Sequence, residues 1–180
     1  MTERVLRREA ARVLLLDPAD RVLLLRGRDP ADPSRTWWFA PGGGLEPGEG
    51  PRAAALRELA EETGLTGIEL GPQVLEEVAV FTYGGRPYEQ RQVFFLARTE
   101  RAPLAAELDS SGCAPGERAH LLDARWWTAA ELARAAEPGG AESGGAAGAG
   151  GGGEPVYPVG LAQLLARLSA DGVLPRATPR

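Results

Sequence analysis

Aliphatic runs separated by turn residues open the chain and return near its middle. Residues 6–16 and 22–25 are rich in Leu and Val, and the short gap between them contains Asp and Pro. Because Asp and Pro favour turns, this pair of runs predicts a β-hairpin. Residues 74–83 and 88–98 are also strand-like, with Gly84-Gly85-Arg86-Pro87 between them. The pattern therefore predicts a second hairpin later in the chain.

The segment between the two hairpins has the composition of a helix. Residues 52–63 are rich in Ala, Leu, Arg and Glu, which are good helix formers. Pro51 stands before them, where proline suits a first helical turn, and Gly64 follows, where a left-handed residue commonly ends a helix. The sequence predicts a helix from Pro51 to Thr63.

Three shorter segments complete the pattern up to residue 137. Residues 28–36 hold two prolines and several acidic or hydroxyl side chains, which indicates a surface loop. Residues 37–39 are aromatic and lead into Pro41-Gly42-Gly43-Gly44, where we expect no regular strand or helix to continue. Residues 125–128 predict a short strand, and Thr128 with Glu131 forms a capping box for a helix that follows.

The C-terminal part of the chain changes composition twice. Residues 138–153 hold nine of the 24 glycines, and without an apolar face they are predicted to be a flexible linker. We therefore divide the chain into a domain at 1–137, a linker at 138–153, and a helix with a tail at 154–180. The helix is indicated by leucines at i, i+3, i+4 and i+7, and we expect it to dock on the domain rather than on a partner. They are Leu161, Leu164, Leu165 and Leu168.

Composition narrows the classes of function. The 180 residues carry a net charge of −5, and every basic residue is Arg. One cysteine, Cys113, cannot form an intrachain disulfide, and one histidine, His120, rules out zinc sites made of His and Cys clusters. An acidic chain without a basic run is a poor candidate for binding a nucleic-acid polymer. No targeting or membrane-spanning segment is visible, so we expect a cytoplasmic location.

The predicted helix places three carboxylates on one face. Glu58, Glu61 and Glu62 are three and four residues apart, which brings their side chains together. Such a group either faces open water or holds cations, because like charges about 6 Å apart repel by roughly 3 kcal/mol at an effective dielectric near 20. Carboxylates without His or Cys are hard ligands that suit Mg²⁺ or Mn²⁺. The residues expected on the core side are Leu56, Leu59 and Ala60.

The 23 residues from Gly43 to Leu65 carry a specific motif. They read Gly-x5-Glu-x7-Arg-Glu-Leu-x-Glu-Glu-x-Gly-Leu, with Glu49 and Arg57 at the first Glu and the Arg. This resembles the complete signature of the Nudix hydrolases, and its seven fixed residues would match by chance on the order of 10⁻⁸ per starting position. The order of elements around it is similar too. The resemblance implies an α/β fold, the Nudix α/β/α sandwich with a mixed β-sheet.

The resemblance also implies an activity and a set of roles. The implied reaction is hydrolysis of a diphosphate linkage, with Glu58, Glu61 and Glu62 holding Mg²⁺ or Mn²⁺. Arg57 would pair with a motif glutamate and fix its rotamer. Gly43, or Gly42 before it, would offer a backbone carbonyl to a metal. Many relatives use a further glutamate after the sheet as base or extra ligand, and Glu117 is the candidate here, with a solvated loop residue as the alternative.

The resemblance implies a small nucleotide-like diphosphate as the substrate, and the sequence says less about which one. Trp38 and Phe39 are candidates for stacking on a base, although aromatic residues that lead into a sheet also pack in cores. Tyr83 is at a position where a tyrosine hints at dinucleoside polyphosphates; an ADP-ribose derivative and a nucleoside triphosphate stay open. Arg35, like Arg8, Arg12 and Arg91, is a candidate for clamping phosphate, with a surface charge as the alternative.

Two alternatives to a pyrophosphohydrolase follow from the same resemblance. A catalytically silent module that binds a nucleotide would be expected to have a damaged motif, and this one is intact. An isoprenyl-diphosphate isomerase would need a catalytic cysteine, for which Cys113 is a weak candidate. A homodimer is the oligomer that we consider. The acidic charge is local, since residues 46–77 hold eight acids and two arginines, and bound cations would neutralise much of it.

Overall fold

The computed structural model describes residues 4–136 and 153–174. In chain order the strands are β1 (Leu6–Leu16), β2 (Val22–Arg28), β3 (Thr36–Phe39), β4 (Gly42–Gly44), β5 (Leu70–Tyr83), β6 (Arg86–Arg98), β7 (Leu121–Trp127) and β8 (Val156–Tyr157). The helices are α1 (Pro51–Thr63), α2 (Pro115–Arg118), α3 (Ala129–Ala135) and α4 (Leu161–Ala170), with a 3-10 turn at Ala105–Glu107. Nearly all of the predicted linker, up to residue 152, lies outside the described residues.

The strands form one mixed sheet. Its order is β5-β6-β1-β2-β3-β8, with β4 also paired to β1 and β7 to β2. Both predicted hairpins are confirmed, because β1 is antiparallel to β2 and β5 is antiparallel to β6. The hairpins are joined through a parallel pairing of β1 with β6 that runs from Leu6 and Tyr88 to Leu16 and Arg98. The first strand is therefore central to the sheet.

Alternation along β1 gives the sheet two buried faces. Val13 and Leu15 point to the face covered by α1, where they join Leu59 and Phe95. Leu14 and Leu16 point to the opposite face, where they pack with residues of α3 and α4. Because both faces are covered by helices, the strand reads as a continuous apolar run. The arrangement confirms the predicted α/β/α sandwich with a mixed sheet.

The glycine run departs from its prediction, because Gly42–Gly44 is a strand. It pairs antiparallel with Ala10–Arg12 of β1. Gly42 has φ +136°, and a Cβ there would collide with the backbone of Ala11 and Arg12. The missing side chain therefore allows the two backbones to approach, where we had expected glycine only to end regular structure.

Helix α1 has the predicted bounds and ends at Gly64, which is left-handed at φ 72°. Its core side differs from the prediction at one position, since Leu59 is buried whereas Leu56 is 37% exposed. The buried positions lie four residues apart at Ala55, Leu59 and Thr63. Leu56 lies on the flank of that row because each residue turns the helix by about 100°.

Residues 153–174 complete the side of the sheet opposite α1. Strand β8 pairs parallel with β3, and Glu154 accepts hydrogen bonds from the side chains of Arg26, Thr36 and Trp38. The apolar stripe of α4 is buried in the same core as Leu132 of α3. Its members are Leu161, Leu164, Leu165 and Leu168. This segment is part of the sandwich, although it follows α3 only after the stretch that contains the predicted linker.

The remaining elements are of the types that the sequence predicts. Strand β7 is longer than the predicted segment at 125–128, and Thr128 and Glu131 form the predicted capping box of α3. None of the helices in the described residues is long and apolar enough to cross a membrane.

Candidate active site

Arg57 is the centre of the polar network on the exposed side of α1. Its guanidinium bonds both carboxylate oxygens of Glu49 at 2.9 Å, Glu58 at 3.0 Å and Glu61 at 3.4 Å, and it donates to the backbone oxygen of Gly44 at 2.9 Å. The bidentate bond to Glu49 holds the pKa of that carboxyl at about 2. The Arg57 guanidinium thus links β4 to α1 and pairs with three carboxylates of the motif.

Glu58 lies directly against the glycine strand. A methyl group on Gly43 would stand 2.5–2.7 Å from its carboxyl carbon and oxygens. Burial raises the pKa of Glu58, against the lowering effect of Arg57, and the charges of Glu61 and Glu117 raise it further. The absent side chain of Gly43 is therefore the space that the Glu58 carboxylate occupies.

Glu62 is held by the preceding glycine. Its Oε2 accepts the backbone N–H of Gly42 at 2.8 Å. Burial raises its pKa to about 8, although the Gly42 N–H and the charge of Arg12 both lower it, while the charges of Glu58 and Glu117 raise it. Glu58 and Glu62 thus disfavour each other's ionised form in a site that is partly shielded from water.

The loop before β7 packs around the C-terminal end of α1. The Cys113 thiol donates to the backbone oxygen of Glu61 at 3.3 Å, and the Asp109 N–H donates to that of Thr63. Glu117 is exposed in α2 on the same loop. Because its charge acts on Glu58 and Glu62, the loop brings Glu117 into the electrostatic neighbourhood of the α1 carboxylates.

This donor set can be tested against a hard divalent cation. Within residues 4–136 and 153–174, no three Asp, Glu, His or Cys side chains converge as a closed ligand cluster, and Arg57 engages Glu58 and Glu61. The chemistry nevertheless fits such an ion. Glu58 and Glu62 lie against Gly43 and Gly42, and burial and like charge raise the pKa of both, a cost that a cation would relieve.

The substrate candidates fall in different places. Trp38 is buried in the core, packed edge-on against Trp127 with its indole N–H on Glu154, which favours packing in the core over stacking on a base. Strand alternation turns its neighbour Trp37 the other way, into edge contact with Tyr83 at a centroid distance of 6.2 Å. Phe39 is half-buried below the guanidinium of Arg12, 5.4 Å from ring centroid to Cζ.

Arg35 has a structural partner. Its guanidinium pairs with Asp29, which is 1% exposed and also accepts the N–H of Gly84 at 3.0 Å. The pair therefore ties the loop before β3 to the turn between β5 and β6. Through this tie, the loop keeps Trp37 and Tyr83 side by side.

A match to a protein-family model identifies the family of this chain. The NUDIX domain model covers residues 6–144, which is more than three quarters of the chain. The chain belongs to the Nudix family. Among the signature residues, Arg57 bonds Glu49, Glu58 and Glu61, Gly43 lies against Glu58, and Glu62 accepts the N–H of Gly42 beside them.

Relatives and solved structures agree with that assignment. The Nudix hydrolase YvcI of Bacillus subtilis is 33% identical over 125 residues, 61% of this chain and 73% of that protein. The RNA pyrophosphohydrolase of Afipia carboxidovorans is 32% identical over 133 residues, 66% and 76% of the two chains. The crystal structure of a MutT protein from Methanosarcina mazei Go1 covers 95% of this chain and 99% of its own, with a TM-score of 0.55 and 15% identity, which shows a shared fold.

One polar feature of this Nudix domain escaped sequence analysis. A row of side chains crosses from β1 to β6, in which Arg8 bonds Gln90 and Arg12 bonds Gln92, and the two glutamines bond each other. Both glutamines are buried. Their spacing of two residues puts them on one face of β6, but only the β1–β6 register, which pairs Gln90 with Arg8 and Gln92 with Ala10, brings them within reach of Arg8 and Arg12. That pairing spans about 80 residues and has no local signal.

Proposed function

We propose a specific activity within the Nudix hydrolases that act on acid anhydrides, the class that the family and its relatives support for this chain. We propose that this chain is a Mg²⁺-dependent pyrophosphohydrolase that cleaves the diphosphate linkage of a nucleoside diphosphate derivative. The observation that carries the proposal is the placement of Glu58 and Glu62 against two successive glycines of β4, beside Arg57 and Glu61. These are hard oxygen donors on a rigid strand and helix.

The chain's own residues supply binding and positioning. Glu58, Glu61 and Glu62 would hold the cation, together with the carbonyl of Gly43. Arg57 keeps Glu58 and Glu61 oriented, and its bidentate bond to Glu49 fixes its own position. When bound, Mg²⁺ supplies neutralisation of phosphate oxygens and activation of water. Mn²⁺ is the expected substitute.

Glu117 is our candidate for the group that accepts a proton from the attacking water. It is exposed, and it lies on a loop that packs against α1 near Glu61. Because Glu58, Glu61 and Glu62 would be engaged as ligands of the cation, an exposed carboxylate near them is the group left to accept the proton of the water. Glu117→Gln is therefore expected to lower kcat while leaving Mn²⁺ affinity close to that of the unaltered chain.

The substrate is proposed to stack its base near Phe39 and Tyr83. Tyr83 is half-buried against Trp37, and burial together with the charges of Asp29 and Glu117 raises its pKa, so it remains a neutral phenol. Arg35 is committed to Asp29 and takes the role of a scaffold rather than a phosphate clamp. Because relatives are named RNA pyrophosphohydrolases, an RNA 5′ end belongs among the compounds tested, against our expectation that no nucleic-acid polymer binds.

The isomerase alternative is weakened by the state of Cys113. The side chain is buried against the backbone of α1, and burial, with the charges of nearby glutamates, raises its pKa to about 12. A catalytic cysteine needs the opposite environment, because the thiolate is the reactive form. The silent-module alternative would be supported only by an intact, metal-binding chain that turns over nothing.

The test is an assay of purified chain with Mg²⁺ against ADP-ribose, a dinucleoside polyphosphate, nucleoside triphosphates and RNA with a 5′ triphosphate. We expect phosphate-monoester products from at least one small nucleotide. Glu61→Gln and Glu62→Gln are expected to lower kcat by at least about 100-fold. Glu69→Gln is the matched control, because Glu69 is exposed and outside the network. Near-normal turnover by both variants would contradict the ligand assignment, and light scattering of the same samples tests the proposed homodimer.

A further inference from the structure

We infer that Arg12 is a positioning residue that fixes the Gly42 peptide and, through it, the Glu62 carboxylate for cation binding. This inference rests on the proposed function. Arg12 lies outside the 23-residue signature, on the neighbouring strand β1.

Arg12 clamps the backbone on both sides of Pro41. Its Nη1 donates to the carbonyl oxygens of Ala40 and Gly42, each at 2.9 Å. Its Nε donates to Oε1 of Gln92 at 2.9 Å, and the guanidinium lies above the ring of Phe39. Since these donors bond protein acceptors, the candidate role of Arg12 as a phosphate clamp gives way to one inside the domain.

Gly42 connects that clamp to Glu62. Its carbonyl accepts from Arg12, while its N–H donates to Oε2 of Glu62 at 2.8 Å. It also stands directly opposite Arg12 in the β1–β4 pairing. A shift of the Arg12 side chain would therefore move the donor that orients Glu62. Outer groups that orient metal ligands typically change affinity or activity by about 10–100-fold when removed.

The clamp is itself held by the buried glutamines. Gln92 Oε1 accepts from Arg12 and also from Gln90 at 2.8 Å, while Gln92 Nε2 donates to Glu77 at 2.7 Å. Because the two glutamines are buried, each of these hydrogen bonds is electrostatically stronger than it would be in water. A guanidinium is required because it presents several donors in a fixed plane, whereas a lysine ammonium is a single flexible point charge.

Charge places Arg12 beside the same carboxylates. Burial lowers its pKa, and the negative charges of Glu62, Glu58 and Glu77 oppose that change. A half-buried cation next to two glutamates that would hold a metal must be kept at a fixed distance, because closer approach would compete with the metal. The carbonyl oxygens of Ala40 and Gly42 set that distance.

The test compares Mn²⁺ binding by the metal-depleted chain, followed by electron paramagnetic resonance, with kcat and KM. Arg12→Gln is expected to weaken Mn²⁺ binding by about tenfold or more and to lower kcat by a similar factor, with KM changed less than about threefold. Arg12→Lys is expected to recover only a small part of either loss. Arg7→Gln is the control, because Arg7 is on the same strand, is exposed and pairs only with Glu89 at the surface.

A second variant covers the outcome in which Arg12→Gln does not fold. Gln92→Leu keeps Arg12 but removes one of its acceptors, and we expect a smaller loss of Mn²⁺ affinity and kcat in the same direction. Unchanged Mn²⁺ affinity in a folded Arg12→Gln or in Gln92→Leu would overturn the inference. So would a rise in KM alone, which would indicate a substrate contact.

Failure of the proposed function is recognised separately. If the unaltered chain binds Mn²⁺ but hydrolyses none of the compounds, the pyrophosphohydrolase proposal falls while the Mn²⁺ comparison between Arg12→Gln and Arg7→Gln still decides the role of Arg12. If the unaltered chain hydrolyses a substrate, and Arg12→Gln binds Mn²⁺ as tightly as the unaltered chain does, only the inference about Arg12 is contradicted.

Discussion

Arg57 and the two glycines show how single residues control the arrangement of the carboxylates. The guanidinium supplies positive charge to three glutamates, and the glycines supply space and an N–H. These contributions differ in kind. Charge tolerates small displacements, whereas a steric contact at Gly43 tolerates almost none.

Gly43→Ala is expected to displace the Glu58 carboxylate, because the new methyl group would stand 2.5 Å from its carboxyl carbon. We expect kcat to fall at least about tenfold, since a misplacement of about 1 Å can cost about 100-fold. The circular dichroism spectrum should stay that of the unaltered chain. Gly44→Ala is the control, where the nearest atom to a methyl group is 3.9 Å away, and an equal loss in both variants would contradict the steric argument.

The metal-free chain is expected to lose stability as the pH rises from about 5 to 8. Burial raises the pKa of Glu62 to about 8 from the ordinary 4.5 of a glutamate, so the folded state holds a proton there that the unfolded state has released. Folding stability falls with pH wherever the folded state binds more protons. Thermal unfolding in EDTA at pH 6 and pH 8 measures this change.

Two comparisons identify the group. In Glu62→Gln the dependence between pH 6 and 8 should shrink, and with saturating Mn²⁺ it should weaken because the cation favours the ionised carboxylate. An identical pH dependence in the unaltered chain and in Glu62→Gln would assign the effect to another residue.

At the scale of elements, α4 contributes to the core as fully as the strands do. Leu165 is 5% exposed and packs on the sheet side opposite α1. Leu165→Ala is expected to lower the free energy of unfolding by about 2–5 kcal/mol. Urea unfolding checks this value, with Gln163→Ala as the exposed control on the same helix, expected within about 0.5 kcal/mol of the unaltered chain. Equal stability of the two variants would mean that α4 does not need its apolar stripe.

Local patterns predicted most of the elements, because hairpins and capped helices are determined by neighbours in the sequence. Pro51 and Gly64 bound α1 as expected, and Thr128 caps α3. The features that local patterns left open involve distant partners. The glycine strand forms because β1 lies beside it, and Trp38 is buried because Glu154, 116 residues later, accepts its indole N–H.

The residues of the candidate site likewise divide into those predicted from local sequence and those that depend on distant contacts. Glu58, Glu61 and Glu62 were found from helical spacing and from a motif of 23 residues. The Arg12 clamp was not, since its function depends on the β1–β4 and β1–β6 registers. Spacing along one helix is a local property, whereas a contact between strands depends on the whole sheet.

At the scale of the molecule, the stretch between α3 and Glu154 is expected to act only as a connection. Replacing residues 138–153 by a Gly/Ser sequence of equal length should leave kcat, KM and the melting temperature close to those of the unaltered chain, because a flexible linker of that length keeps the same reach. Deleting residues 154–180 is the contrasting variant, since it removes Glu154 and the α4 leucines, and it should lower the melting temperature. A loss of activity in the Gly/Ser variant would show that the natural sequence has a role of its own.

The central position of β1 affects when the sheet can be completed during synthesis of the chain. Its parallel partner is 82 residues further along the chain at Arg8 and Gln90. At about 5–20 residues per second, a ribosome makes β6 roughly 4–16 s after β1. Until then β1 has only β2, β4 and α1 beside it, so the strand made first is completed late. The nascent chain is therefore most exposed to aggregation, and most in need of a chaperone, before the β5–β6 hairpin arrives.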